Sequence, residues 1–480
     1  MKSDTIHFGT DGWRGFLDTE MNMDSVRLVA QAFADYLKEK NGKHASCAIG
    51  YDGRKYSAEF AELFAEILSG NGILTHLSDR VVPTPIISFT VKYQELSAGV
   101  MITASHNPPA YNGIKFKGPY GGPFFTEETQ KVETLLGKSP VKHSRDRIIC
   151  QNFLPDYLSR VTSHIHFEKI RNSGISCVVD SMHGAGGSLL PDLLTQKGCR
   201  ATGIDSDILP DFGGRAAEPL EKNLSPLKQY LMEHPDYSLG LATDGDADRL
   251  GVMMNGGIWL SAQETILLLA DYLVCVKHIP GAIIKSSSVT DKLRMLYESP
   301  DRPVLDVQVG FKYITEKMLE LPVALGAEES GGFGYGIHIP ERDGIFSALL
   351  FLEMLADSGF QKLSDKVAQL REKAGNLYYD RIDYPFDKPG RMTVLPDLVR
   401  DDLKNIGGYP LHRVDTYLSS RGVINGVKIR LEGDCRWLLL RSSETEPMMR
   451  IYAEGQSESE VKTFLKIGVR LIHEYAGVPE

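Results

Sequence analysis

The chain has 480 residues, 42% of them hydrophobic and 24% charged, with a formal net charge of -10. That length predicts about three or four domains with ordinary globular cores, and the acid excess speaks against nucleic acid as a partner. No apolar run approaches the ~20 residues of a membrane span, and the opening MKSDTIHFGTDG lacks the apolar core of a signal peptide. Six cysteines (Cys47, Cys150, Cys177, Cys199, Cys275 and Cys435) are dispersed without C-x-x-C spacing. This argues against a zinc site or a disulfide framework and predicts a cytoplasmic protein with reduced thiols.

Residues 24–40 place Val26, Val29, Ala30, Phe33 and Leu37 on one side, a helix with Asp24 near its start. Residues 47–51 then read as a strand, 57–69 as a helix and 72–77 as a strand. The apolar run 98–102 ends in Thr103-Ala104-Ser105-His106-Asn107-Pro108. That arrangement delivers the Ser105 hydroxyl to the mouth of a sheet and forbids helix continuation there. Lys115 follows close enough to return a cation toward the hydroxyl. The alternation restarts near residues 175 and 282, so three α/β units are expected, with ligands beyond the carboxyl ends of their strands.

Another strand-like run, 237–242, leads into Asp244-Gly245-Asp246-Ala247-Asp248-Arg249. Alternate aspartates can converge three carboxylates on one hard cation such as Mg²⁺. A calcium-binding EF-hand needs Gly at its sixth position and Glu at its twelfth, where this chain has Arg249 and Asn255. A solvated Asp-Gly turn would account for two aspartates better than for three. Arg249 beside the acids points to an anionic partner, phosphate above all. The segment GAEESGGFGYGIHIPERDGIF (326–346) does not contain the G-x-G-x-x-G fingerprint, so its glycines are not a dinucleotide signal.

Residues 384–390, with Pro385 and Pro389, predict a linker into a last domain. There, 427–431, 437–440 and 449–453 predict short strands in an antiparallel meander. A helix follows from Ser457, which has capping-box spacing with Glu460. Between the strands, RSSETEPMMR frames Ser442, Ser443 and Thr445 with Arg441 and Arg450, donors suited to a phosphate. The site segments also supply Arg14, Lys115, Lys117, Arg249, Lys285, Lys312 and Arg342, which predicts a cationic cleft inside an acidic protein.

In chain order, FGTDGWRG, TASHNPPAYNGIKF, DGDADR, GAEESGG and RSSETEP resemble the motifs of the alpha-D-phosphohexomutase superfamily. This superfamily includes phosphoglucomutases, phosphomannomutases and phosphoglucosamine mutases, and the resemblance spans the whole chain. Residues and resemblance together predict an α/β protein, three α/β domains with mixed sheets plus a smaller C-terminal α+β domain around a central cleft. The expected domains are 1–145, 146–257, 258–378 and 379–480. The resemblance implies interconversion of hexose 1-phosphate and hexose 6-phosphate through a phosphoserine at Ser105 and a hexose 1,6-bisphosphate, with glucose 1,6-bisphosphate as activator and intermediate. It implies Mg²⁺ on Ser105, Asp244, Asp246 and Asp248. Lys115 would act as general base or charge stabiliser, with Arg14 and Arg249 as electrostatic partners. Glu328, Ser330, Lys312 and Arg342 would hold the sugar, and Arg441, Ser443, Glu444, Thr445 and Arg450 the distal phosphate. The expected partners are small-molecule hexose phosphates, with no nucleic acid and no membrane; the oligomeric state is left open.

For the sugar, Glu328-Glu329-Ser330 and His338-Ile339-Pro340-Glu341-Arg342-Asp343-Gly344 resemble the Glu-Glu-Ser and His-Ile-Arg-Glu-Lys-Asp-Gly of phosphoglucomutases. Val309-Gly310-Phe311-Lys312 is similar to their Thr-Gly-x-Lys loop, with Val309 a departure. Phosphoglucosamine mutases carry Glu-Gln-Ser-Gly-His and the dual phosphomannomutase type Glu-Met-Ser-Gly-His, where this chain has Gly332 in place of the histidine. Against this, SETEP is nearer the Gly-Thr-Glu-Pro of phosphoglucosamine mutases. The sugar loop touches the hydroxyls that differ, so glucose is expected as preferred substrate with mannose possible. The alternatives are a phosphoglucosamine mutase, a sugar-phosphate hydrolase or a non-catalytic bisphosphate-binding relative.

Overall fold

The computed structural model describes residues 6–9, 11–388, 390–401, 403–419, 422–443 and 447–479. The first sheet runs in spatial order Trp13–Phe16, Tyr111–Lys117, Ala98–Ile102, Ser46–Tyr51, Leu74–Ser78 and Ile148–Gln151. Ser46–Tyr51 lies parallel to both neighbours, whereas Tyr111–Lys117 is antiparallel to Ala98–Ile102. Helices cover both faces, which is why Ala98–Ile102 is buried at every position. The first helix, Met23–Asn41, begins just before the expected position: the Asn22 side chain accepts from the Asp24 and Ser25 amides, and Ser25 returns the bond.

The second sheet has the order Ile258–Leu260, Leu250–Met254, Leu239–Thr243, Ser176–Asp180, Arg200–Ile204. The third has Val304–Val307, Ala282–Ser286, Val323–Ala327, Phe333–Gly334. All three sheets share one device. A buried strand that pairs in parallel on one side turns back into an antiparallel partner on the other. Ala98–Ile102 turns into Tyr111–Lys117, Leu239–Thr243 into Leu250–Met254, and Val323–Ala327 into Phe333–Gly334. The three turns carry Ser105, the aspartates and Glu328, so each chemical group stands just past the carboxyl end of a central strand.

One apolar core runs through these three units. Val82, Ile86 and Ile87 of the first, Leu239 and Leu241 of the second, and Ile283 and Leu325 of the third belong to a single cluster. At its centre is helix Gly344–Ser358, buried from Gly344 through Leu355 and apolar almost all round. A shared core of this size fixes the three turns relative to one another.

The last unit is separate, with its own core beneath helix Glu458–Ala476. Its six-stranded sheet is antiparallel throughout, in the order Tyr378–Pro385, Met448–Gly455, Trp437–Ser442, Ile424–Leu431, Tyr409–Leu418, Asn405–Ile406. The meander is therefore larger than expected, and the predicted linker at 384–390 is corrected. Tyr384 and Pro385 end a strand paired with Met449 and Met448, and an edge strand tolerates proline because one side needs no donor. The capping box at Ser457 is half formed. Ser457 Oγ accepts from the Glu460 amide at 3.1 Å, but the Glu460 carboxylate takes Arg436 Nε at 3.0 Å and the Gln456 amide instead. Among the described residues all six cysteines are free, and no helix is long and apolar enough to cross a membrane.

Candidate active site

Ser105 is buried with a backbone φ of 54°, in the left-handed region. A non-glycine residue there costs about 1–2 kcal/mol, so the surrounding structure must hold it. Its amide donates to Thr103 Oγ1 at 2.9 Å, and its Oγ donates to Asp244 Oδ2 at 3.1 Å, with His106 Nδ1 at 3.4 Å. Burial, then Arg249 and Arg14, hold the His106 imidazole well below its ordinary pKa, hence neutral. Arg14 donates to Asn107 Oδ1 at 2.8 Å, which braces the loop from the neighbouring strand.

Asp244, Asp246 and Asp248 are all fully buried, and one oxygen from each falls within 4.8 Å of the others. Asp246 Oδ1 and Asp248 Oδ1 have no hydrogen-bond partner among the described residues. Two orphaned carboxylate oxygens beside a third carboxylate and a serine hydroxyl fit the all-oxygen ligand set of Mg²⁺. Burial, followed by repulsion from Asp248 and Asp246, pushes the Asp244 carboxyl well above the usual range, a pressure that a divalent cation would relieve. The turn is also stitched to the first unit. Thr84 donates through its hydroxyl to Asp246 Oδ2 at 2.6 Å and through its amide to the Asp246 carbonyl at 3.0 Å.

The cations around this cage are paired, not free. Lys115 Nζ sits 2.9 Å from Asp11 Oδ2, 2.8 Å from Asp246 Oδ2 and 3.1 Å from Asp248 Oδ2. Burial opposes its charge, but those three carboxylates raise its pKa above the ordinary lysine value. Lys115 is thus held as a fixed cation. Arg342 reaches Asp11 at 2.5 Å, Asp248 at 2.8 Å and Glu328 at 3.6 Å. Arg249 lies 3.4 Å from Glu218, 3.7 Å from Asp244 and 3.8 Å from Asp248. Two of the cations expected to line a cleft are corrected. Lys117 is spent on Glu341 at 2.6 Å, and Lys285 is buried between Asp291 and Asp306 at the seam with the last unit.

In the third turn, Glu328 is buried and accepts from the Gly310 amide at 3.0 Å. Burial pushes its pKa up to about 7, with Arg342 opposing and Glu329 adding to the rise. The Ser330 hydroxyl is half-buried and makes no hydrogen bond with the described residues. Glu329 turns away and accepts from Ser288 Oγ at 2.5 Å and Ser286 Oγ at 3.1 Å. Lys312 donates to Thr126 Oγ1 at 2.8 Å, tying the third unit to the first. A side chain at Gly332 would require Arg342 to shift, since a Cβ there would stand 2.4 Å from Arg342 Cδ.

Because Glu328 accepts hydrogen bonds best when ionised, its raised pKa gives a pH signature. Between pH 6 and 8 its charged fraction climbs about tenfold, and activity that depends on the charged form should rise with it. Folding stability runs the other way. A folded-state pKa above the ordinary 4.5 gives stability that is complete below 4.5 and is lost as pH rises through about 7. Parallel pH profiles of wild type and Glu328→Gln check both; an unchanged profile in the variant removes Glu328 from the titration.

The last unit turns a polar sheet face to this site. Arg441 pairs across strands with Arg450, and Arg450 with Asp383; in the next row Tyr452 pairs with Arg381. Arg441 Nε is buried without a partner among the described residues, Arg450 Nε lies 3.7 Å from Asp383, and Arg381 covers the Tyr452 ring at 5.8 Å. Arg391 donates to the Ser443 carbonyl at 2.9 Å. Glu444 and Thr445 lie outside the described residues.

Comparison with known proteins decides the family. Four phosphoglucomutase/phosphomannomutase domain families match in order: alpha/beta/alpha domain I at residues 5–140, domain II at 155–257, domain III at 261–374 and the C-terminal domain at 385–466. The chain belongs to the phosphoglucomutase/phosphomannomutase family. It is thereby an isomerase, an intramolecular phosphotransferase of the alpha-D-phosphohexomutase superfamily. The crystal structure of a Thermus thermophilus protein assigned as a phosphomannomutase is 32% identical, with a TM-score of 0.83 over 98% of this chain and 99% of that one. A phosphoglucomutase/phosphomannomutase of Thermococcus kodakarensis is 26% identical over 97% of this chain and 98% of its own length. A phosphoglucosamine/phosphogalactosamine mutase of Sulfurisphaera tokodaii is 29% identical over 94% and 96%. Relatives of near-equal similarity thus carry different sugar names, and likeness alone leaves the preference of this family member open.

Asp11, Thr84, Glu218, Arg381 and Arg391 were not among the residues singled out from the sequence. Asp11 alone left a signal, standing beside Arg14 in FGTDGWRG. The others contribute single side chains from segments with no local motif.

Proposed function

We propose that the chain interconverts hexose 1-phosphate and hexose 6-phosphate through phosphorylated Ser105 and a hexose 1,6-bisphosphate, with glucose preferred and mannose accepted. The observation that carries this reading is the Ser105 hydroxyl, held 3.1 Å from Asp244 beside two aspartates with unsatisfied buried oxygens. Mg²⁺ held by Ser105, Asp244, Asp246 and Asp248 would neutralise charge on the oxygens of the phosphoryl group in transit. The bond from phosphorus to Ser105 Oγ breaks as a sugar hydroxyl bonds to phosphorus, and the hydroxyl proton passes to solvent. Such a transfer depends chiefly on positioning and charge. Lys115 supplies a fixed cation, and Arg14 and Arg249 flank the serine. The bisphosphate then turns so that its other phosphate returns to Ser105. Arg441, Ser443 and Arg450, with Glu444 and Thr445 of the same loop, hold whichever phosphate is not reacting. Glu328 and Ser330 accept hydroxyls in both orientations, with Lys312 and Arg342 alongside. Glucose 1,6-bisphosphate in solution loads Ser105 and so acts as activator. A cytoplasmic setting goes with this reading, supported by the free, dispersed cysteines.

Arg342 supports glucose over glucosamine. Its guanidinium stands 3.6 Å from Glu328, so a protonated 2-amino group entering beside Glu328 meets like charge, whereas a hydroxyl does not. Glu329 offers no relief, being committed to Ser286 and Ser288. Measured kcat/KM should fall from glucose 1-phosphate to mannose 1-phosphate to glucosamine 1-phosphate by about tenfold at each step. A preference for glucosamine 1-phosphate would replace this reading with that of a phosphoglucosamine mutase.

A further inference from the structure

Arg54 lies in the turn after strand Ser46–Tyr51, in none of the segments that carry the chemistry, and is almost fully buried. Its two terminal nitrogens make four hydrogen bonds. Nη1 donates to the carbonyls of Pro108 at 2.9 Å and Tyr111 at 3.0 Å. Nη2 donates to the carbonyls of Ser105 at 2.5 Å and Asn107 at 2.6 Å. Nε lies 3.2 Å from Asp52 Oδ2. Four of these acceptors are backbone carbonyls of the serine loop, and one is the carbonyl of Ser105 itself.

The outer face of the guanidinium is covered from the second unit by the Phe212 ring, at 4.7 Å. That ring also lies 3.3 Å from where a Cβ on Gly245 would stand, and the Ser105 carbonyl lies 2.4 Å from the same point. Arg54, Phe212, Ser105 and the glycine between Asp244 and Asp246 are thus packed as one block. The loop needs such a block. The Ser105 carbonyl is buried and requires a donor, and Ser105 holds φ 54° without the freedom of glycine. Only a planar fork with five donors satisfies carbonyls spread over residues 105–111; a lysine offers three donors from one nitrogen.

We infer that Arg54 is a positioning residue for phosphoryl transfer, clamping the Ser105 loop in its strained conformation and keying it through Phe212 to the aspartate turn. The inference rests on the reading of Ser105 as phosphoryl carrier. Arg54 touches no reacting atom and no part of the sugar loop, so its loss displaces the carrier oxygen and leaves sugar affinity alone.

The test uses full-length Arg54→Lys and Arg54→Ala, with melting temperature, kcat and KM on glucose 1-phosphate. It adds the rate at which glucose 1,6-bisphosphate phosphorylates Ser105, followed by mass spectrometry. In both variants kcat and the phosphorylation rate should fall about 100-fold, the cost of misplacing a reacting atom by about 1 Å, while KM stays within about threefold. In Arg54→Ala, millimolar guanidinium chloride should restore activity that the same concentration of sodium chloride does not. Arg54→Lys keeps the test decisive if the alanine variant does not fold. A folded Arg54→Lys enzyme with kcat within about twofold of wild type, or a loss carried by KM, overturns the inference. A wild-type enzyme that takes no phosphate on Ser105 overturns the carrier reading and the inference together. Normal phosphorylation of wild type beside an equally fast Arg54→Lys overturns the inference alone.

Discussion

Ser105→Ala should abolish interconversion of glucose 1-phosphate and glucose 6-phosphate, by on the order of 10⁴-fold or more, as removal of a nucleophile does. The change deletes one oxygen and its two contacts, to Asp244 at 3.1 Å and to His106 at 3.4 Å. It leaves the loop's other ties in place: Arg14 on Asn107, Arg54 on four carbonyls, and the paired strands on either side. Melting temperature should therefore move little while turnover vanishes. Intact-mass measurement after incubation with glucose 1,6-bisphosphate gives an independent readout, with a phosphoryl group gained by wild type and none by the variant. Near-normal turnover in Ser105→Ala would place the carrier elsewhere and dismantle the phosphoserine scheme.

Asp246→Asn should lower kcat by about 10³-fold and weaken Mg²⁺ affinity, because one of three charged oxygen ligands is lost. Asp246 also carries structural ties, so the same change has a second consequence. Its Oδ2 takes Thr84 Oγ1 at 2.6 Å and Lys115 Nζ at 2.8 Å, and a neutral amide oxygen in that place can accept both bonds but loses the charge that pairs with the buried lysine. Burial works to raise this carboxyl, but Lys115, Thr84 and Arg342 hold it below the usual carboxylate range, so the charged form is the native one. A stability loss of about 1–3 kcal/mol is expected from the weakened charge-assisted bond to Lys115. Titrating activity with Mg²⁺ after exhaustive chelation separates the two effects: lost affinity shifts the midpoint, lost structure lowers the melting temperature. Activity of the variant that survives excess chelator would exclude the aspartate turn from catalysis.

The sequence by itself determined a good deal. Apolar runs ending in Thr-Ala-Ser-His-Asn-Pro, in Asp-Gly-Asp-Ala-Asp-Arg and in Glu-Glu-Ser mark strands and their carboxyl-end turns because each signal is local, a few residues long, and made of types with one chemical use. The α/β units, the antiparallel final sheet and the family follow from those signals in order. The same locality explains what was misread. Tyr378–Pro385 and Tyr409–Leu418 escaped notice because they are rich in polar residues that stay exposed, and no position in either is fully buried. Asp383 next to Arg450 and Asp415 next to Arg430 look like surface charge in one dimension.

Only the tertiary structure decided how the charges are spent. Read along the chain, Lys115, Arg249 and Arg342 are free cations awaiting phosphate. In the fold Lys115 takes Asp248 of the second unit, Arg342 takes Asp11 of the first and Asp248 of the second, and Arg249 takes Glu218 from a distant segment of its own unit. Burying a cation without such partners would cost far more than the pairing yields, so packing chose the partners and no local pattern could. The same holds for Arg54, whose acceptors are main-chain carbonyls, identical at every residue and therefore invisible in sequence. Which carbonyls face inward depends on the path of the loop, and that path exists only once the first two sheets have closed around a shared core.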